Sequence, residues 1–192
     1  DNSRDLLLRC ANVFDLAYRR FRDLKESEEA AREAQIEVAL ERVRSRTMAM
    51  RQSTELEQVA LVYSDQLEEL GLDISGAMFL LQDPDKEVWT LWTAYSRSYP
   101  IKRLRGKTFE FPFPEVEGDP TIEAWRCGET VTESFVSPDE LTQWAATYKT
   151  VLDVSGQTPD DLIRIYPAGY FRIDSSMKYG LFAGGGYRQF TQ

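Results

Sequence analysis

Glycine and proline are missing from the first seventy residues of this 192-residue chain; all 11 Gly and all 8 Pro lie at or beyond Gly71. These two residues are the strongest breakers of regular backbone, so a silence of that length predicts helix. Charge divides in nearly the same place. Residues 1–52 carry 11 basic and 10 acidic side chains, whereas residues 53–192 carry 12 and 22. The chain therefore reads as a charge-balanced helical arm over 1–52 and an acidic, aromatic-rich globule over 53–192.

Within the arm, Leu7, Ala11, Phe14, Tyr18 and Phe21 recur at alternating spacings of four and three, the seam of a coiled coil. Ile36, Leu40, Val43, Thr47 and Met50 repeat the pattern. Between them stand only the small Ala30, Ala31 and Ala34, and the two seams do not share one register. A discontinuity of this kind changes the supercoil locally. A long helix with narrow apolar stripes needs a partner for them. For the first half, packing onto the globule and dimerisation stand level; for residues 36–50 a homodimer is expected, with parallel helices preferred.

The globule opens with a predicted helix, capped by Thr54-Glu-Leu-Glu57, buried through Leu56, Val59, Tyr63, Leu67 and Leu70, and stopped at Gly71. Strands follow at Ala77–Leu81 and Val88–Tyr95, joined by a turn around Asp83-Pro-Asp-Lys86, and a third runs from Lys107 to Phe113. A short helix from Asp119-Pro120 ends at Gly128, and Thr130–Thr132 forms a short strand. Ser137-Pro-Asp-Glu140 and Thr158-Pro-Asp-Asp161 each open a helix with a cap, a proline and first-turn acids. Strands at Tyr170–Asp174 and Tyr179–Gly184 complete an α+β order with mostly antiparallel neighbours. Phe190–Gln192 reads as the lead into a further helix.

The chain has no histidine. That removes Ser-His-Asp and Cys-His catalysis, histidine-ligated haem and most catalytic zinc sites. A net charge of −9 argues against nucleic acid and anionic membrane as partners. Cys10 and Cys127 are too few and too far apart for a zinc motif or a disulfide scaffold, and fit a reducing cytoplasm. No apolar run approaches membrane-spanning length. Asp160 and Asp161 could pair as catalytic carboxylates, yet acids in a first helical turn are what the helix dipole favours. Asp83, Asp85 and Glu87 lack a calcium-loop register. Gly184-Gly-Gly186 reads as a turn or bulge, there being no phosphate-loop lysine after it. Neither a catalytic residue nor a metal ligand is assigned.

The run Ala39-Leu-Glu-Arg-Val-Arg-Ser-Arg-Thr-Met-Ala-Met50, the helix opening at Thr54-Glu-Leu-Glu57 and the Leu70-Gly71 stop before a strand resemble the linker and first helix of GAF sensor domains. The likeness continues through Trp125-Arg-Cys-Gly-Glu129 to Tyr179-Gly-Leu-Phe-Ala-Gly-Gly185. Leu6–Phe21 is similar to the last helix of such a domain, so residues 1–22 would be the exit helix of a preceding unit. The resemblance implies a central antiparallel sheet flanked by helices, here lacking its own C-terminal helix. It also implies a sensory module of a multi-domain bacterial signalling protein of the histidine-kinase, two-component kind, with the other domains of that polypeptide as partners. Residues 5–22 could then occupy the place of the absent helix, in cis or from a second chain. Cys127 has no histidine beside it, so neither bilin nor haem is expected, and the cofactor stays unknown. The alternatives are a relay or dimerisation module without ligand and a carboxylate-based hydrolase.

Aromatic residues are more numerous than a globule of this size needs for its core, and they serve either a core with a dimer surface or a ligand pocket. The pocket reading takes Trp92, Phe109, Phe111 and Trp125 as walls, between the sheet and residues 96–135. Arg172 is its polar handle, and the expected ligand is a small flat anion.

Overall fold

The computed structural model describes residues 2–82, 88–112, 125–128, 131–147 and 149–189. It divides into two compact units, one ending at Glu41 and the other beginning at Arg42.

Helix α1 (Asn2–Met48) is unbroken. The shift in seam register changes which side chains are apolar and removes no backbone hydrogen bond, so the helix runs through it. Its i,i+4 ion pairs Arg9–Asp5 at 2.8 Å, Arg19–Asp15 at 2.5 Å, Arg22–Glu26 at 3.2 Å and Lys25–Glu29 at 3.5 Å are more than half exposed. Such pairs contribute only a few tenths of a kcal/mol each. The seam itself is open: Phe14 is 74% and Tyr18 54% exposed, and Leu7 and Phe21 are exposed as well. Ile36, Val43 and Met50 are half-buried, while Leu40 and Thr47 are exposed. Residues 5–22 are one continuous helix with residues 23–48.

Helix α2 (Leu56–Glu69) follows a 3-10 turn at Ser53–Glu55. The capping box expected at Thr54 does not form. The turn has already engaged the backbone there, Glu55 N–H reaching Gln52 O at 3.1 Å, and no side chain caps α2. Its end is as read. Gly71, at φ +80°, lets Leu72 N–H reach Leu67 O at 3.1 Å and Gly71 N–H reach Glu68 O at 3.0 Å, a Schellman ending. The buried line of α2 runs through small Ala60 and Ser64, with Tyr63 and Leu67 half-buried beside it. Small residues at the centre let the helix lie close to the sheet.

Six strands form one antiparallel sheet: β1 (Gly76–Gln82), β2 (Val88–Thr93), β3 (Thr108–Pro112), β4 (Thr132–Val136), β5 (Tyr170–Met177) and β6 (Gly180–Gly186). Their spatial order is β3-β2-β1-β6-β5-β4. β4 begins two residues later than its expected neighbourhood, and β5 runs three residues further than expected. Gly184–Gly186 lies inside central β6 and is not a turn, Gly185 pairing with both Gly76 and Arg172. The glycines are there for side chains that cross them: a Cβ on Gly185 would stand 2.7 Å from the Tyr170 ring. Asp83–Glu87, the Asp119-Pro120 cap and Phe190–Gln192 lie outside the described residues.

Strand alternation assigns the two faces. Ala77, Phe79, Trp92 and Phe182 face α2, where Tyr63 meets Phe79 and Phe182 edge-on at 5.4 and 5.3 Å. On the opposite face, helices α3 (Pro138–Thr147), α4 (Lys149–Ser155) and α5 (Pro159–Ile165) pack with Tyr95, Tyr99 and Leu104. Both predicted proline starts are observed. Ser137 Oγ accepts from Glu140 N–H at 3.3 Å while the Glu140 carboxylate accepts from Ser137 N–H at 2.8 Å. Thr158 and Asp161 repeat the arrangement at the start of α5.

Candidate ligand pocket

The cavity lies on the α3–α5 face of the sheet and has a volume of about 110 Å³. Its floor is strand: Met78 and Leu80 from β1, Leu91 from β2, Leu181 and Ala183 from β6, and Arg172 from β5. Its roof is helix, chiefly Leu141 and Trp144 of α3, Leu152 of α4 and Leu162 of α5. Four tyrosines complete it. Tyr95 and Tyr99 come from the segment after β2, Tyr166 from the end of α5 and Tyr170 from the start of β5.

The rings are organised in two groups. Tyr95 and Tyr99 lie 4.2 Å apart between centroids, and Tyr166 lies 5.0 Å from Tyr170 and 5.3 Å from Tyr187. Tyr166 donates its hydroxyl to Ser75 Oγ at 2.9 Å, and Ser75 Oγ in turn donates to Gly185 O at 3.1 Å. Tyr99 accepts from Gln157 Nε2 at 3.3 Å. Burial pushes the Tyr99 hydroxyl up to about 12, despite the opposing bond from Gln157. Burial likewise holds Tyr95 and Tyr166 well above the ordinary tyrosine value. These hydroxyls are neutral near pH 7.

Arg172 and Asp174 stand two residues apart on β5 and so share the cavity face. Arg172 Nε donates to Asp174 Oδ2 at 2.7 Å, with side chains only 7% and 5% exposed. The pair is a buried ion pair of zero net charge. No carboxylate belongs to the described residues that line the cavity.

The polar handle expected from the sequence, Arg172, lines the cavity, and three of the four expected walls, Trp92, Phe109 and Trp125, are not among its described lining residues. Trp92 pairs with Phe79 and shares its face, toward α2. Phe109 packs against both the Tyr95 cluster and Trp89 without lining the space. Trp125 meets Trp89 edge-on at 5.2 Å, and its Nε1 donates to Met177 O at 3.3 Å. The Phe111 side chain lies outside the described residues. Sequence reading passed over Tyr99, Gln157, Tyr166 and the roof leucines Leu141, Leu152 and Leu162. Tyr99 and Gln157 lie between regular elements, where no periodicity marks a facing side.

The segment that carries Tyr95 and Tyr99 is tied down on two sides. Arg103 donates to Ser155 O at 2.9 Å and also to Gly156 O, at the end of α4. Asp65 of α2 pairs with Arg97 at 2.9 Å and with Arg105, and Glu68 accepts from Arg97 N–H at 3.3 Å. On its far side α2 is fastened to the last turns of α1. Arg42 reaches Gln66 at 3.0 Å and Glu69 at 2.8 Å, and Arg46 reaches Glu55 at 3.1 Å and also Gln58. A continuous set of contacts thus joins the cavity wall to the base of α1.

Among the described residues, no cluster of three His, Cys, Asp or Glu side chains is placed to hold a metal ion. No described helix is long and apolar enough to cross a membrane. Compared with protein-family models, with curated proteins and with solved structures, the chain matches none.

Proposed function

We propose that the chain is a non-catalytic, GAF-like sensory module of a cytoplasmic signalling protein of the histidine-kinase kind. It binds a small molecule above the sheet and passes the bound state to a dimeric helical arm. The cavity carries this reading: a space between sheet and helices, mostly apolar, with a few convergent hydroxyl, amide and guanidinium groups. The central antiparallel sheet with its first helix on one face agrees with the resemblance read from Ala39–Met50 and Thr54–Glu57. The contacts through Asp65, Arg42 and Arg46 supply a physical route from cavity to arm. Such a route becomes coupling only if its arrangement differs between the free and bound states.

A relay without ligand would call for a filled core, and about 110 Å³ of space speaks against it. A carboxylate hydrolase needs two acids flanking its substrate, and the described cavity lining offers none. Native mass spectrometry of the purified chain against a library of small metabolites tests the proposal. Specific adducts with the parent chain, lost on Ala183→Leu, are expected. Absence of any adduct, with equal melting temperatures across the library, would sink it.

A further inference from the structure

Resting on the ligand-binding reading above, we infer that the cavity selects an uncharged, flat, single-ring molecule bearing a hydroxyl or amide, and discriminates against the matching anion. Arg172 is the one cation among the described residues lining the space, and by itself it would invite a carboxylate. Its charge is already met by Asp174 at 2.7 Å, with both side chains almost wholly buried. A second carboxylate brought to the guanidinium would also approach the Asp174 carboxylate, so attraction and repulsion largely cancel. What remains is the cost of stripping water from an anion in a mostly apolar space, offset only by neutral hydroxyl and amide donors that serve an uncharged ligand equally.

A neutral ligand meets no such penalty. The tyrosine hydroxyls keep their protons well above neutrality, so they present donors and acceptors without charge. The Gln157 amide, bonded to Tyr99, adds a polar group at the cavity edge. Trp144 and the Tyr166–Tyr170 pair offer ring surfaces for offset or edge-on stacking. The volume is of the order found in cavities that admit a single benzene ring. The anion expected from the sequence is thus disfavoured by the partner that the fold places beside Arg172.

Two isosteric pairs serve as probes: benzamide against benzoate, and nicotinamide against nicotinate, at pH 7 by ligand-observed NMR on the whole chain. The expected result is that each amide binds at least tenfold more tightly than its acid and that Ala183→Leu abolishes the binding. Where that variant fails to fold, Leu152→Phe narrows the same space from the helix side. Asp174→Asn should shift the preference toward the acids by removing the carboxylate that stands against the guanidinium. Where it does not fold, the double variant Arg172→Met, Asp174→Leu, with no ions, should keep the amides and still refuse the acids. Acids binding as well as amides in the parent chain would overturn the inference while leaving ligand sensing intact. No binding of any probe, together with no adduct from the metabolite library, would overturn both.

Discussion

Tyr99 stands at the junction of Tyr95, Gln157 and the cavity, and its burial has a consequence for stability. Its hydroxyl ionises near 12 in the folded chain and near 10 once unfolded. The folded state therefore holds its proton more tightly. Stability from this source is complete below about pH 10, where both states are protonated, and is lost as pH rises toward 12. The loss is on the order of 2–3 kcal/mol from Tyr99 alone, and Tyr95 and Tyr166 act in the same direction. Urea titrations between pH 8 and 11.5 should show the midpoint falling above pH 10, and Tyr99→Phe should flatten that fall. A midpoint independent of pH to 11.5 would contradict the burial of these hydroxyls. Glu140 and Asp161 act at the other end of the scale. Their capping bonds hold both carboxyls below the usual range, so their contribution is lost as pH falls through those lowered values.

Among the elements, those with local chemistry were the legible ones. The two proline-led caps, the Gly71 ending and the β1–β2 hairpin each rest on neighbouring residues and were readable from them, whereas the β1–β6 pairing joins residues about a hundred apart and was not. The cavity was not, because it depends on which face each strand presents. Val88–Tyr95 is apolar or Thr throughout, so alternation carried no sign, and Trp92 was placed on the cavity face when it lies toward α2. One sign was present: Arg172 and Asp174, opposite charges two apart on a strand, must share a face. Asp65 is the element-scale test. It joins α2 to Arg97 and Arg105, so Asp65→Asn should cost about 1 kcal/mol, the scale of a partly exposed network. Hydrogen exchange should quicken several-fold at residues 97–105 and stay unchanged in α3. Equal exchange in both would mean that the Asp65 pairs do not hold the Tyr95–Tyr99 segment to α2.

At the scale of the whole molecule the open question is what covers α1. Its first 24 residues expose Leu7, Phe14, Tyr18 and Phe21 together with Leu6, Val13 and Leu16, more apolar surface than isolated surface residues account for. Fully burying one such side chain contributes about 1.5–3 kcal/mol, so a paired seam would overcome the cost of association. Sedimentation equilibrium should give a dimer, and Phe14→Glu with Tyr18→Glu should raise its dissociation constant by about a thousandfold or more. Unchanged mass in both chains would refute the seam.

Orientation can be decided separately, because Cys10 is exposed and flanks Ala11 of the seam. A spin label on Cys10, in a chain carrying Cys127→Ser, reports the distance between equivalent points of two arms. Helices advance about 1.5 Å per residue. If Asn2–Met48 pairs antiparallel about its midpoint, the two Cys10 positions lie about 45 Å apart. If the helices run in parallel and in register, helix axes about 10 Å apart keep the two labels within about 30 Å. A sensor that hands a movement to the next domain on both chains needs the two arms to leave in the same direction, so the short distance is expected. A dominant distance near 45 Å would make the arm a clasp between opposed molecules, and transmission along it would have no common end at which to be read.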